Sequence, residues 1–244
     1  MRDCAERVAP MLTWEGLPSL FPGFEEPLRW LPLLERHAAL VAEASARVRV
    51  TAVPGADAVQ RHYAESLELL RIADEAGWAG EICDVGSGGG YPGIVMAVMR
   101  PSTRIHLVEP LQKRARLLES MAAELGLENV RVYAARAEGA GRGPLRDHCG
   151  LVTARAVAEL REVLEYTAPL AGDGALIALP KGSALESELE AARRAMEELG
   201  VDGGTVVPMN SLVSDRIHVV LLRKHGATPP KYPRREGIPG KRPL

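Results

Sequence analysis

Cysteine is scarce. The 244-residue chain holds three, Cys4, Cys83 and Cys149, far apart and in no C-x-x-C pair. That excludes a disulfide scaffold or a cysteine-built zinc framework, so no metal is expected, and it fits a reducing, cytoplasmic setting. Cys83 reads as a small core residue. Aromatics are few as well. Both phenylalanines, Phe21 and Phe24, lie near the start of the chain, which leaves little elsewhere for stacking bases. An excess of one charge is also missing: 30 Lys and Arg against 32 Asp and Glu give a net charge of −2. No global basic field is present to grip naked nucleic acid indiscriminately, although a local basic patch remains compatible with the composition. No run is long and apolar enough to cross a bilayer, so no membrane partner is expected. The start of the chain carries Arg2, Asp3, Glu6 and Arg7 where a secretory signal needs apolar residues.

What is present divides the chain into three. Residues 1–26, with Pro10, Pro18 and Pro22, read as a loosely structured lead-in. Residues 27–49 carry Leu28, Leu31, Leu34, Ala38 and Val41 at three- and four-residue steps, the period of a helix. Pro54-Gly55 interrupts the pattern, and Asp57 is placed to cap a second helix that runs to about Ala76. Residues 1–79 are therefore expected to be an N-terminal helical extension packed on a core. From residue 80 to 226 strands and helices alternate. The expected strands are 81–85, 104–109, 130–134, 150–154, 174–180, 204–209 and 217–223. The expected helices lie near 92–100, 111–125, 158–168 and 184–199, with a weak segment at 136–146. This is an α/β pattern, a mostly parallel seven-stranded sheet covered on both faces. The last two strands are joined only by Asn210–Arg216, which suits an antiparallel edge hairpin. Residues 227–244 form a Pro-rich tail in which Lys231, Arg234, Arg235, Lys241 and Arg242 face a single acid, Glu236. The prolines argue for an extended segment without helix, and the cations for a phosphate partner.

The stretch Glu81–Gly93 organises the rest. It reads as a short buried strand, a loop with glycines at 86, 88, 89 and 90, and a helix opened by Pro92. Such a unit forms a nucleotide-binding crevice at the carboxyl end of a parallel sheet. The dinucleotide pattern G-x-G-x-x-G would need glycine at 91, where Tyr91 stands. The spacing Asp84, Gly86, Gly88, Gly90 fits instead, and it resembles the first motif of class I S-adenosylmethionine methyltransferases. In those enzymes an acid ending the next strand holds the ribose; here that residue is Glu109.

Several further segments are together similar to one family, RsmG (also called GidB), which methylates guanine N7 in 16S ribosomal RNA. They are Arg61-His62-Tyr63-Ala64-Glu65-Ser66-Leu67, Arg100-Pro101, Lys113-Arg114 after Glu109, Ala135-Arg136-Ala137-Glu138 and Ala154-Arg155-Ala156. Lys181-Gly182, Arg216-Ile217-His218-Val219-Val220 and Pro229-Pro230-Lys231-Tyr232-Pro233-Arg234-Arg235 complete the set. The sequence departs from the family between Ala44 and Thr51, where of Trp-Asn and Asn-Leu-Thr only the threonine is kept, and at Glu65, where aspartate is usual.

The resemblance implies a Rossmann-like methyltransferase that uses S-adenosylmethionine and acts on 16S rRNA or the small ribosomal subunit. Another RNA or a small molecule is the alternative acceptor, and a monomer is expected. It implies that Gly86, Ser87, Gly88 and Tyr91 line the cofactor, that Glu109 takes the ribose hydroxyls, and that Ala137 and Glu138 flank the adenine. Arg155 would hold the methionine carboxylate or a substrate phosphate, and Lys181 would position the RNA. Lys231, Arg234 and Arg235 would bind RNA phosphates. Guanine N7 offers its own lone pair, so no general base is assigned. His62 and His218 read as packing residues, with His62 placed to help close the cofactor site.

Overall fold

The computed structural model describes residues 12–45 and 50–244. Within them the lead-in is not loose. Residues 17–20 make a one-turn helix, α1 (Leu17–Leu20), and Leu17 and Phe21, four residues apart, are buried in the core. Prolines break helices but do not prevent packing. Helix α2 (Pro27–Ser45) buries Trp30, Leu34, His37, Leu40 and Val41 as one stripe. Its expected continuation through 49 lies outside the described residues.

Asp57 does not cap the next helix. It closes a 3₁₀ turn, Gly55–Asp57, followed by a π-helical turn, Val59–Ala64, that runs into α3 (Glu65–Ala76). None of these starts has a side-chain cap; the π turn and α3 each continue the helical residue before them, whereas the 3₁₀ turn starts from the extended Pro54. A π turn is rare and usually marks a functional site. This one carries Arg61 and His62.

The alternating part follows in the expected order: β1 (Ile82–Val85), α4 (Gly93–Met99), β2 (Ile105–Val108), α5 (Gln112–Glu124), β3 (Val130–Tyr133), α6 (Ala137–Ala140), β4 (Cys149–Ala154), α7 (Leu160–Thr167), β5 (Ala171–Lys181), α8 (Leu185–Leu199), β6 (Val201–Pro208) and β7 (His218–Lys224). The sheet order is β3-β2-β1-β4-β5-β7-β6. Strands β1 to β5 are parallel; β7 lies antiparallel between β5 and β6 and forms the edge hairpin with β6. The central strands are buried on both faces. Leu67, Leu70, Val95 and Leu118, from α3, α4 and α5, share one apolar cluster with Trp30 and Leu34 of α2. Leu160, Leu164, Ala192 and Leu199, from α7 and α8, fill the other face.

The strand order reverses between β1 and β4, so their following loops diverge and leave a crevice at the carboxyl ends. The tail departs from the extended form. It folds back over α7 and α8, ends in a short helix, α9 (Ile238–Lys241), and buries Tyr232 and Pro239. Proline is tolerated in the first turn of a helix, where Pro239 sits.

Candidate active site

The crevice holds a cavity of about 600 Å³, lined by the loop after β1, the loop after β4, the end of β5, and the segment Val50–Val53 with the π turn. The glycine loop is shaped by backbone need. Gly86 has φ +74°, and a Cβ there would lie 2.8 Å from Val157 across the cavity. Gly93 serves the packing of α4 on the sheet: a Cβ would lie 2.3 Å from Leu107 and 2.7 Å from the Asp84 carboxylate. The close helix–strand approach that a dinucleotide fold obtains at its third glycine is obtained here two residues later, which frees position 91 for a tyrosine. Asp84, fully buried, accepts from the Gly93 N–H at 3.1 Å through Oδ2, while Oδ1 has no partner. Burial raises its carboxyl to a pKa of about 6.

The N-terminal helices are wired to this loop in one direction. The Gly89 carbonyl can only accept, so His37 donates from Nε2 at 3.0 Å. His37 Nδ1 must then accept, at 3.1 Å, from the Tyr63 hydroxyl, whose oxygen accepts from Tyr91 at 3.0 Å. Burial keeps His37 neutral by lowering its pKa to about 4. Tyr91 also stacks on the His62 ring at 4.1 Å and 10°. His62 therefore lies in the cavity wall, and His218 is half-buried on its strand.

Arg155, at the end of β4, donates to the Arg61 carbonyl at 2.7 Å, to Glu65 at 3.2 Å and to His62 Nδ1 at 2.7 Å. Desolvation lowers the Arg155 pKa and raises that of Glu65, which its arginine neighbours only partly offset. Lys181 donates to the Ala158 carbonyl at 2.7 Å and to Glu188 at 2.8 Å, which leaves one of its three N–H groups toward the cavity it lines. Glu188 also accepts from the Leu160 N–H, tying the loop after β4 to α8.

The structure thus brings together Gly86, Ser87, Gly88, Tyr91, Arg155 and Lys181 on one cavity. Glu109 stands beside it, buried, with Oε2 accepting from the Gly88 N–H and Oε1 from the Leu111 N–H, both at 2.9 Å. Ala137 and Glu138 do not line the cavity. They open α6 after β3, and Glu138 accepts from the Gly237 N–H of the tail at 2.8 Å.

The tail cations are elsewhere again. Arg234 is turned inward onto the fully buried Glu165, which also accepts from the Arg234 main-chain N–H. Lys231 pairs with Glu198, which the Tyr232 hydroxyl also contacts. Arg146 and Arg142 hold tail carbonyls. Of the three tail residues expected, with Lys181, to meet RNA, only Arg235 is exposed and without an ion pair among the described residues. The partners that fasten the other two come from helices far away in sequence. Thr51, Glu65 and Glu188 were not among the expected site residues; the signal for Glu65 was its place in the Arg-His-x-x-acid segment.

Among the described residues one further group is of metal-ligand type: Glu81, His106 and His148, at the amino ends of β1, β2 and β4. Both Nε2 atoms lie against Glu81 Oε2, at 2.5 and 3.0 Å. A cation taking Nε2 of His106 would force the proton onto Nδ1, which is buried without a partner. Hydrogen bonding to the carboxylate describes this cluster better than ligation.

The sequence model of the GidB family, described as rRNA small subunit methyltransferase G, matches residues 31–218. A ribosomal RNA small subunit methyltransferase G of Pelotomaculum thermopropionicum is 39% identical over 214 residues, covering 86% of this chain and 89% of its own. One from Symbiobacterium thermophilum is 38% identical over 242 residues, covering 94% and 96%. Among solved structures, a SAM-dependent methyltransferase from Aquifex aeolicus shares the fold, with a TM-score of 0.53 at 15% identity over 76% of this chain and 97% of that one.

Proposed function

The chain belongs to the GidB family, rRNA small subunit methyltransferase G, and from that premise we propose that it transfers a methyl group from S-adenosylmethionine to N7 of a guanine in 16S rRNA of the small subunit. The observation that carries this reading is the cavity where the glycine loop, Arg155 and Lys181 meet. Its lining fits the cofactor: a strained glycine turn that tolerates no side chain, backed by the buried Asp84, whose Oδ1 has no partner among the described residues. When bound, S-adenosylmethionine supplies an electrophilic methyl on a sulfonium. Guanine N7 brings a lone pair, so the chain's work is to align the two and exclude water.

In this reading Gly86, Ser87, Gly88 and Tyr91 cradle the cofactor. Glu109 accepts the ribose hydroxyls with the lone pairs that Gly88 and Leu111 leave unused. Ala137 and Glu138 border the adenine from the loop after β3, on the same edge of the sheet. Arg155 holds the pocket wall through Glu65 and His62, and the spare N–H of Lys181 meets a phosphate or guanine O6. The tail is assigned a fastening role through Lys231 and Arg234, while Arg235, Lys241 and Arg242 are exposed and make no ion pair among the described residues. The RNA is received instead at Arg61, which lines the cavity, and at Lys113 and Arg116 of α5, the helix whose Arg114 lines it; these three are exposed and make no ion pair among the described residues. The target guanine must leave its stack to reach the cavity. No described helix is long and apolar enough to cross a membrane, and we place the protein in the cytoplasm as a monomer.

Methyl transfer from labelled S-adenosylmethionine tests the proposal, using small subunits and free 16S RNA from a strain lacking its own enzyme. N7-methylguanine at one site is the expected product. Cofactor binding without transfer to either RNA would overturn the substrate, and absence of cofactor binding would overturn the whole reading.

A further inference from the structure

The hydrogen-bond inventory at the cavity wall leaves one donor without a destination. Arg155 can only donate, so His62 Nδ1, 2.7 Å from its guanidinium, must be the acceptor. An imidazolium there would set two N–H groups head to head. His62 is therefore the neutral Nε2–H tautomer, in keeping with a pKa that burial and then the Arg155 charge lower to about 3. Its Nε2 lies 2.7 Å from Thr51 Oγ1, so the threonine oxygen accepts from His62. The same oxygen accepts from the Val53 N–H at 3.0 Å. A hydroxyl oxygen has two lone pairs, and both are now used. The hydroxyl proton has no acceptor among the described residues, and Thr51 lines the cavity. The Val50 carbonyl next to it lies over Gly88 and Gly89, 3.6 to 3.8 Å from where Cβ atoms would stand, so this segment passes over the glycine loop and shares its cavity.

We propose that Thr51 is a ligand-binding residue whose hydroxyl, with both lone pairs occupied by His62 and Val53, is held as an obligate donor to an oxygen acceptor of a bound ligand. Two oxygens qualify under the function proposed above, on which this inference rests: the carboxylate of S-adenosylmethionine and O6 of the target guanine. The chain Arg155 to His62 to Thr51 makes His62 a positioning residue. It fixes the direction of a donor that in an ordinary threonine would rotate between giving and accepting. Recognition by a donor that cannot accept also favours a ligand oxygen over a ligand N–H at that point.

Isothermal titration with S-adenosylmethionine and methyl transfer to small subunits are measured for the parent, Thr51→Val and Thr51→Ser. Valine keeps the shape and removes the hydroxyl. The expected result is about a tenfold loss for one ligand in Thr51→Val, with Thr51→Ser within about threefold of the parent. The loss is then measured against ligands that lack the acceptor: decarboxylated S-adenosylmethionine for binding, and RNA with 2-aminopurine at the target for transfer. If the Thr51→Val penalty vanishes with the first, the acceptor is the carboxylate; if with the second, it is O6. An equal penalty with both altered ligands, no penalty with either natural one, or a Thr51→Ser variant as impaired as Thr51→Val overturns the proposal. A parent that binds no S-adenosylmethionine overturns the functional reading itself, and Thr51 with it.

Discussion

Two arginine–glutamate pairs in this molecule have opposite characters. Arg155 and Glu65 join β4 to α3 at the edge of an open cavity, with side chains 16% and 15% exposed. Burial disfavours both charges there: the arginine pKa is lowered and the glutamate pKa raised. Arg234 and Glu165 join the tail to α7, with the carboxylate wholly enclosed. There the hydrogen bonds to Glu165 raise the arginine pKa, and the main-chain N–H of Arg234 completes the carboxylate's shell. The first pair is incompletely compensated and faces a space that a ligand can fill. The second is saturated by the protein itself. Charge alone does not make a binding site; what distinguishes one is polar capacity left unspent beside a cavity.

The sharpest test of that contrast is at the cavity floor. Gly86→Asp puts a Cβ 2.8 Å from Val157, on a backbone of φ +74°, and a new charge into the loop. We expect cofactor affinity to fall by roughly 100-fold or more, at least ~3 kcal/mol, as read by titration calorimetry; unchanged affinity would remove the cavity from the comparison.

Next come the two ion pairs. Arg234→Ala strands a buried carboxylate and is expected to cost about 3–5 kcal/mol in denaturant unfolding. Glu65→Gln, whose amide oxygen can still accept from Arg155, should cost under about 1 kcal/mol while weakening ligand binding. Equal costs would erase the distinction between fastener and site.

A smaller effect follows from Asp84. Its folded pKa of about 6 lies above its ordinary value, so between pH 4 and 6 the folded state holds a proton that the unfolded state has released. This group's contribution to stability is therefore largest below about pH 4 and declines as pH rises to about 6, by at most ~1.4 kcal/mol per pH unit. Asp84→Asn should flatten that part of the stability–pH curve relative to the parent. Parallel curves would mean that Asp84 is not the group that burial perturbs.

The smallest differences separate rim from tail. Replacing Arg61, Lys113 and Arg116 by alanine should reduce the salt slope of RNA binding by about 2–3, whereas Arg235→Ala should change it by less than about 1. The reverse ranking would return the tail to the RNA.

The elements legible in the amino-acid sequence are those whose causes are local. Glycine at 86 and 93, an acid at 84 and proline at 92 dictate a strand, a tight loop and a helix because the needs they meet are those of the neighbouring backbone. The same holds for the seven strands and their order along the chain, which periodicity and turn residues mark, and for the antiparallel edge implied by the short loop from 210 to 216. Which charges are spent is settled only by the fold. Arg234 and Arg155 are indistinguishable as letters. The acids that meet them, Glu165 and Glu65, lie 69 and 90 residues away, and only folding chooses between a buried clamp and a cavity wall. Thr51 is the extreme case. Its donor direction depends on His62, whose tautomer depends on Arg155, and that relation has no expression along the chain because hydrogen bonds are allotted in space.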